Sequence, residues 1–301
     1  MKRRLMVTGC GGFVAGSVIR NAGADWDVHA LSRGGALLER EGLTWHSFDP
    51  LDIERLRSVF RQVEPHAVIH AAAIADIDYC EGNKEVAEQV NVGLAEQLAR
   101  LCSQSRARMV YLSTDTVFDG EKGLYREEDP PAPLNYYAET KVRAEKIVAG
   151  ETGNSVVARL SLVMGLPMLG RGNSFLSRMI SAFEEGREVG VPADEIRTPI
   201  DVITLGRALI ELAGNDFKGR IHLGGNDRLS RLEMVRRIAE RLGYSTDLVV
   251  AKDPSGIAGR APRPRDVSLD NTKARAALAT PMRGLDDGLE LVLAAKKGTA
   301  S

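Results

Sequence analysis

The chain has 301 residues, enough for one large domain or two closely associated ones with a buried core. Lys and Arg total 40 and Asp and Glu total 41, so electrostatics gives no reason to expect nucleic acid or an anionic membrane as a partner. Three irregularly spaced cysteines do not suit a disulfide framework or a zinc site, and no apolar run has the length of a signal peptide or a membrane span. We therefore expect a soluble cytoplasmic protein without a metal site.

The N-terminal residues predict a strand, a glycine-rich turn and a helix in direct succession. A short apolar run leads into a turn with Gly9, Gly12 and Ala15, and apolar residues then recur at helical spacing. In a dinucleotide-binding turn, such residues permit the tight turn, the approach of a pyrophosphate and the packing of helix on strand. The phosphates would lie at the helix N-terminus, so Phe13 and Val14 are further candidates for contact with the cofactor.

The end of the second predicted strand, at residues 27–31, bears on the choice of cofactor. NAD sites usually place an acidic residue there, whereas NADP sites offer arginine and small polar groups to the 2′-phosphate. Ser32 and Arg33 follow the strand, and no acidic residue does. We expect NADP(H), with NAD(H) as the alternative. An arginine in an ordinary solvated loop would give the same sequence pattern.

Two further strand ends offer residues that suit the same ligand. A strand at 44–48 precedes an acidic residue that could meet an adenine, and a strand at 67–70 precedes three alanines that would let a flat ligand lie close to the backbone. Asp52 is expected to cap the next helix, and His70 to be a packed structural histidine. The cofactor candidates at these ends are Asp49, Pro50, Ala71, Ala72 and Ala73.

Tyr137 and Lys141 are four residues apart, and on a helix they would share one face. Tyrosine normally holds its proton to a pKa of about 10, and a neighbouring lysine charge should lower that pKa toward the range of a general acid–base. The same spacing is common on solvated helix faces, so the pair alone does not establish a site. Hydroxyls at residues 113–116 follow a fifth strand, at the end where open α/β sheets bind ligands.

Strands alternate with helices over about 160 residues, which predicts an α/β fold with a doubly wound, mostly parallel Rossmann sheet. A long helix is expected from about residue 84 to 104, with Asn91 on its apolar side making a structural hydrogen bond. A late strand at 219–223 should return to the sheet. We expect a dinucleotide-binding domain at 1–160, rejoined by about 197–224, and a smaller C-terminal substrate-binding lobe at 161–196 and 225–301.

These motifs, in this order, resemble the extended short-chain dehydrogenase/reductase superfamily, and most closely its dTDP-4-dehydrorhamnose reductase-like group. The segment at 113–120 resembles that group's Ser-Thr-Asp-Tyr-Val-Phe-Asp-Gly run, and residues 78–81 and 263–273 resemble other segments of the group. The similarity covers nearly the whole chain and is loosest between about residues 164 and 194.

The resemblance implies reduction of a keto group on a nucleotide-linked sugar by NADP(H). Tyr137 would give a proton to the carbonyl oxygen, Thr114 would hydrogen-bond that oxygen, and Lys141 would hold the nicotinamide ribose. Such chemistry needs an acid near the working pH and donors aimed at developing negative charge.

Two departures from the group concern the sugar. Thr116 stands where the group usually has tyrosine, and Leu162 where it commonly has a tryptophan against the sugar. The sugar pocket should therefore be less aromatic. The substrate-side candidates are Asp115, Leu162, Arg197 and Arg263, with Arg260 and Arg265 as further arginines for the diphosphate.

Two other functions are compatible with the same resemblance. A sugar-nucleotide epimerase would need the same triad, and a non-catalytic NADP-binding regulatory subunit, like that of methionine adenosyltransferase, would keep the fold for partner recognition. A 4,6-dehydratase is disfavoured because Thr116 replaces the glutamate that its Thr-Asp-Glu loop requires. A monomer or a homodimer is expected.

Overall fold

The structure, a computed structural model, describes three stretches of the chain: residues 2–170, 174–253 and 259–298. Residues 1, 171–173, 254–258 and 299–301 lie outside the described chain. At those positions the predicted domain segments are not described. The division into two domains remains a prediction.

The strands are β1 (Arg3–Thr8), β2 (Trp26–Ser32), β3 (Leu43–Ser47), β4 (Ala67–His70), β5 (Arg108–Thr114), β6 (Ser155–Leu160), β7 (Val163–Met164), β8 (Val189–Val191), β9 (Ile196–Arg197), β10 (Ile200–Asp201), β11 (Gly219–Leu223), β12 (Leu229–Ser230) and β13 (Val249–Ala251). The α-helices are α1 (Phe13–Asn21), α2 (Ile53–Val63), α3 (Ile77–Gly82), α4 (Lys84–Glu88), α5 (Leu94–Ser105), α6 (Tyr136–Glu151), α7 (Phe175–Glu184), α8 (Val202–Gly214), α9 (Arg231–Arg241), α10 (Thr272–Ala277) and α11 (Leu285–Gly298). Short 3-10 turns span Asp115–Val117 and Thr246–Leu248.

Seven parallel strands form the central sheet in the order β11-β6-β5-β4-β1-β2-β3. Every residue of β4 and β5 is buried, which is typical of strands covered by helices on both faces. The strand order changes direction between β1 and β4, so the carboxyl ends of these strands flank the crevice where such sheets bind ligands. The predicted doubly wound parallel sheet is confirmed, and the late strand is its seventh member.

Alternating side chains of the sheet enter two separate cores. Leu5 and Val7 pack with residues of α1 and α8 on one face, whereas Met6 packs with residues of α2, α5 and α6 on the other. This alternation follows from the two-residue period of a strand. A third core joins α7, α9 and α11 in the C-terminal part of the chain. No helix among the described residues is both long and apolar enough to cross a membrane.

The predicted single helix from residue 84 is wrong in its middle. A π-helical turn at Gln89–Gly93 separates α4 from α5, and Asn91 lies in it. The Asn91 side chain accepts the Ile74 N–H at 2.8 Å and donates to the Ile74 carbonyl at 3.1 Å and to Thr140 Oγ1 at 3.1 Å. A π-turn accommodates one extra residue, and here that residue directs a polar side chain to both partners. The structural hydrogen bond expected of Asn91 is present.

The cap predicted at α2 is present, and a serine caps α9 in the same way. The Asp52 carboxylate accepts the N–H of Arg55 at the start of α2, and Ser230 accepts that of Glu233 at the start of α9. His70 is buried, with Nδ1 2.7 Å from Thr8 Oγ1, as expected of a packed histidine.

A buried ion pair connects α6 to two strands of the sheet. Glu145 on α6 receives two hydrogen bonds from Arg159 on β6, at 2.9 and 2.8 Å, and one from Ser113 on β5 at 2.5 Å. The Arg159 and Glu145 side chains are 0% and 2% exposed. With two bonds in a bidentate arrangement, the pair fixes the helix relative to the strands, and loss of either partner leaves a charge buried alone.

We predict that Arg159→Met lowers the free energy of unfolding by about 3–5 kcal/mol, because the Glu145 carboxylate then remains buried without its cation. Urea denaturation measures the change. Arg57→Met is the matched control, since Arg57 pairs with Glu54 on the exposed face of α2 and its loss should cost at most about 1 kcal/mol. Equal losses in the two variants would contradict the assigned role of the buried pair.

Candidate active site

A groove of about 830 Å³ lies at the carboxyl ends of β1, β2, β3 and β4. It is bordered by the glycine turn, by the segments that follow the three other strands and by apolar residues of α3, α4, α5 and the intervening π-turn. The predicted cofactor residues in its walls are Gly9, Gly12, Ser32, Arg33, Asp49, Pro50, Ala71, Ala72 and Ala73.

The glycine turn packs directly on the alanine segment. Gly9 has a φ of +72°, and a Cβ there would lie 2.8 Å from the backbone of Ala72. At Gly12 a Cβ would lie 3.0 Å from the Gly9 carbonyl oxygen. Both positions thus require a residue without a side chain, and the backbone stays accessible to a ligand in the groove.

Phe13 and Val14 begin α1, but their side chains lie in apolar cores: Phe13 against the C-terminal core and Val14 against the core beneath α1. Neither residue is among those that line the groove. The first N–H groups of a helix have no partner within it, so contact through their backbone remains the prediction for these two residues.

The end of β2 carries the features expected of an NADP site. Ser32 is buried and its Oγ accepts the N–H of Gly34 at 3.1 Å, while Arg33 is exposed at the groove. Among the described residues that line the groove, Asp49 has the only carboxylate, and its Oδ1 accepts the N–H of Leu51 at 3.0 Å. A 2′-phosphate would therefore meet an arginine and a hydroxyl at β2.

Tyr137 and Lys141 lie on α6, which begins where Asn135 accepts the N–H of Ala138. Both side chains are buried, and the Tyr137 phenol is close enough to Thr114, at the end of β5, for the threonine hydroxyl to lower its pKa. The three predicted catalytic residues are thus brought to one region of the structure.

The protonation of this pair differs from the expectation. Burial raises the pKa of Tyr137; the nearby Thr114 hydroxyl opposes that shift, and Asp115 and Cys80 add to it. Burial also lowers the pKa of Lys141 to about 7. The expectation that lysine lowers the pKa of the tyrosine is therefore wrong for the chain alone, since desolvation dominates at both groups.

The groove connects to α6 through Ile74. This residue lines the groove and also packs in a cluster with Tyr137 and Cys80. Asn91 bonds to both backbone groups of Ile74 and to Thr140, whose Oγ1 donates to the Tyr137 carbonyl at 2.6 Å. The π-turn therefore holds the groove wall and α6 in one network.

Polar groups continue from Thr114 toward the C-terminal part of the chain. Asp115 is buried; its Oδ2 accepts from Ser161 Oγ at 3.4 Å and lies 3.8 Å from Arg197 Nε. Arg197 is also buried and donates to the carbonyls of Arg265 at 3.0 Å and Pro264 at 3.2 Å. Burial raises the pKa of Asp115, and Arg197 acts against that shift.

Three arginines surround the buried Glu195. Its carboxylate lies 3.0 Å from Arg260, 3.7 Å from Arg197 and 3.8 Å from Arg231. With Asp115 included, three cations meet two carboxylates, which leaves one formal positive charge in excess. Burial lowers the pKa of Arg231, as expected for a cation that is incompletely compensated.

The other predicted substrate residues lie outside this arginine cluster. Arg263 pairs with Asp78 of α3 at 2.6 and 2.8 Å. Arg265 is exposed and pairs with Asp194 at 3.4 Å. Leu162 packs against the C-terminal core. Its side chain thus serves packing, and its contact with a sugar stays a prediction.

Four residues next to the site were not identified from the sequence. Glu195 and Arg231 lie in a loop and at a helix start without a motif, and Glu145 is an unremarkable charge on a helix. Tyr111 is two residues before Ser113 on β5, so the two side chains share a face of the sheet, and that spacing was the available signal.

The family model described as RmlD substrate binding domain matches residues 3–297. A dTDP-4-dehydrorhamnose reductase from Mycobacterium tuberculosis is 30% identical over 304 residues, with 99% of this chain and 95% of the relative covered. Methionine adenosyltransferase 2 subunit beta from Pongo abelii is 29% identical, with 90% and 81% covered.

Among solved structures, the dTDP-4-dehydrorhamnose reductase of Bacillus anthracis in complex with NADP superposes with a TM-score of 0.86 at 25% identity, with 97% of this chain and 99% of that chain covered. The match of the family model extends over nearly the whole chain. The chain belongs to the RmlD substrate-binding domain family, within the extended short-chain dehydrogenase/reductase superfamily.

Proposed function

We propose that this protein uses NADPH to reduce the keto group of a nucleotide-linked sugar, with Thr114, Tyr137 and Lys141 as its catalytic residues. The observation that carries the proposal is the proximity of Tyr137 and Thr114, both buried next to a groove of dinucleotide-binding type. The NADP-bound relative and the reductase relatives support the same cofactor and reaction class. As a member of its family, the chain is an NADP(H)-dependent oxidoreductase of sugar nucleotides.

The residues of the groove fit NADP(H). The close approach of Gly9 to Ala72 keeps side chains out of the pyrophosphate position, and Ser32 and Arg33 suit a 2′-phosphate. Asp49 would meet the adenine. When bound, the nicotinamide supplies the hydride that reduces the carbonyl carbon.

Tyr137 and Thr114 act on the carbonyl oxygen. As negative charge develops there, Tyr137 transfers its phenol proton to the oxygen, and the Thr114 hydroxyl donates a hydrogen bond to it. The raised pKa of Tyr137 keeps the phenol protonated at neutral pH, which is the state that the reduction starts from. The Lys141 ammonium holds the ribose hydroxyls and stabilises the phenolate that remains.

The arginine cluster suits the diphosphate of the substrate. Arg197, Arg231 and Arg260 carry one more charge than the two carboxylates around them, and they adjoin Asp115 at the catalytic strand end. Arginine is well matched to phosphate oxygens. Because Thr116 and Leu162 replace aromatic residues of the related group, the sugar should differ from or be held less tightly than 4-dehydrorhamnose.

A panel of 4-keto nucleotide sugars, assayed by NADPH oxidation, tests the reaction. Consumption of NADPH with formation of the hydroxy sugar supports reduction. Interconversion of epimers without net NADPH consumption would instead indicate an epimerase. The likeness to methionine adenosyltransferase 2 subunit beta makes a binding subunit the second candidate, and co-purification of a partner enzyme without activity on any sugar would favour it.

We propose a cytoplasmic location, with the protein as a monomer or a homodimer. All three cysteines are buried free thiols, which suits a reducing compartment.

We predict that Tyr137→Phe lowers kcat by about 10²–10⁴-fold, because it removes the proton donor and little else. Steady-state NADPH oxidation measures the change. The control is Tyr136→Phe at the next position of α6, where the hydroxyl bonds to Glu88 at 3.1 Å, and it should retain wild-type turnover. Unchanged turnover in Tyr137→Phe would refute the assigned acid.

Arg33→Ala should raise the KM for NADPH by about 10–100-fold and leave the KM for NADH unchanged, because only NADPH has the 2′-phosphate. Parallel titrations with the two cofactors measure the effect. Arg61→Ala, on the exposed face of α2, serves as the control for loss of a surface cation. Equal changes for NADPH and NADH would rule out a phosphate contact.

Because burial lowers the pKa of Lys141 to about 7, raising the pH through that value removes the ammonium charge in the free enzyme. We predict that kcat/KM for NADPH, which reports the free enzyme, is highest below about pH 7 and declines above it. A pH–rate profile tests this, with unfolding monitored at each pH as the control. A profile that stays flat to about pH 9 would contradict the prediction.

A further inference from the structure

The buried ammonium of Lys141 lies over an aromatic ring. Lys141 is 3% exposed, and its Nζ is 4.3 Å from the ring centroid of Tyr111. Tyr111 is 1% exposed on β5, and its hydroxyl has no hydrogen-bond partner in the part of the chain that the structure describes. The contribution of Tyr111 to Lys141 is therefore the face of its ring.

The titratable groups around Lys141 come from four elements. They are Glu145 and Tyr137 on α6, Cys80 on α3, His70 on β4 and Tyr111 on β5. Glu145 is the main anion, but its carboxylate already accepts bonds from Arg159 and Ser113. Burial holds His70 in its neutral form by lowering its pKa to about 3. The Tyr111 ring thus directly faces an ammonium whose carboxylate neighbour is shared.

An aromatic face gives a buried cation part of the favourable electrostatic interaction that it loses when water is excluded. The π-electrons give the ring face a negative potential, and the resulting attraction is larger for a desolvated cation than for an exposed one. An attraction of the usual strength between a buried cation and an aromatic ring raises the pKa of the cation by about one unit. The ring also restricts where the long, flexible lysine side chain can place its charge.

We propose that Tyr111 is a positioning residue: the face of its ring holds the Lys141 ammonium against β5 and favours the protonated form of the lysine. The role in catalysis rests on the proposed function, in which Lys141 must carry its charge. The attraction between the Tyr111 ring and the Lys141 ammonium does not rest on the proposed function, because it requires only the residues of this chain. Tyr111 acts through Lys141 and touches neither substrate nor cofactor in this scheme.

Graded changes of the ring at constant shape test the proposal. Tyr111→Phe and its mono-, di- and trifluorinated analogues weaken the ring's negative face stepwise. Selective ¹³Cε labelling of lysine allows the Lys141 resonance, assigned with Lys141→Met, to be titrated by NMR in the free chain. We expect the pKa of Lys141 in Tyr111→Phe to be close to that in the wild type. With each added fluorine the pKa of Lys141 should fall, by about one unit over the series.

Two further variants separate the ring's charge distribution from its volume. Tyr111→Leu should lower the pKa of Lys141 at least as much as the trifluorinated ring. Phe60→Leu, which removes an aromatic ring from the same core on α2, should leave it unchanged. If Tyr111→Leu does not fold, the fluorinated series carries the test, because its members differ little in shape.

A Lys141 titration that is identical across the fluorinated series would overturn the proposal. The measurement uses no substrate, so a wild-type chain without reductase activity would refute the proposed function and leave this result interpretable. In an active enzyme, the decline of kcat/KM should move to lower pH in the same order as the Lys141 titration. A merely structural role for Tyr111 would produce neither ordered shift.

Discussion

The position of α6, the helix of Tyr137 and Lys141, depends on one buried ion pair. Glu145 bonds to Arg159 of β6 and to Ser113 of β5, one residue before Thr114. The same carboxylate lies one helical turn beyond Lys141. A single anion thereby fixes α6 to the strand that ends in Thr114 and also favours the charge on the lysine. Its desolvation is tolerated because three hydrogen bonds compensate it.

Burial, rather than the pairing of Tyr137 with Lys141, governs protonation at the site. Desolvation disfavours the charged form of each group, so the tyrosine is held neutral and the lysine titrates near neutrality. A charge brought into the groove with a cofactor would act on both groups at once. A bound cofactor would therefore change the protonation of the proposed catalytic residues.

The sequence predicted those features that arise from local pattern. Apolar runs that end in glycine, serine or alanine identified the sheet and the residues of the groove, because parallel strands place their carboxyl ends at one edge. Features set by contacts distant in sequence could not be predicted: Arg231 and Glu195 meet only through folding, and the pKa of Tyr137 depends on its burial. The π-turn was also missed, since its apolar spacing still resembles an α-helix.

The π-turn makes the length of the chain between residues 84 and 105 as important as its composition. Each residue of an α-helix turns the chain by about 100°, so deleting one residue at 89–93 would rotate α4 relative to α5 by about that angle. Asn91 could then no longer reach Ile74 and Thr140 together, or α5 would turn its apolar side from the sheet. In evolutionary terms, insertions and deletions should be excluded from this helical segment even where single substitutions are accepted.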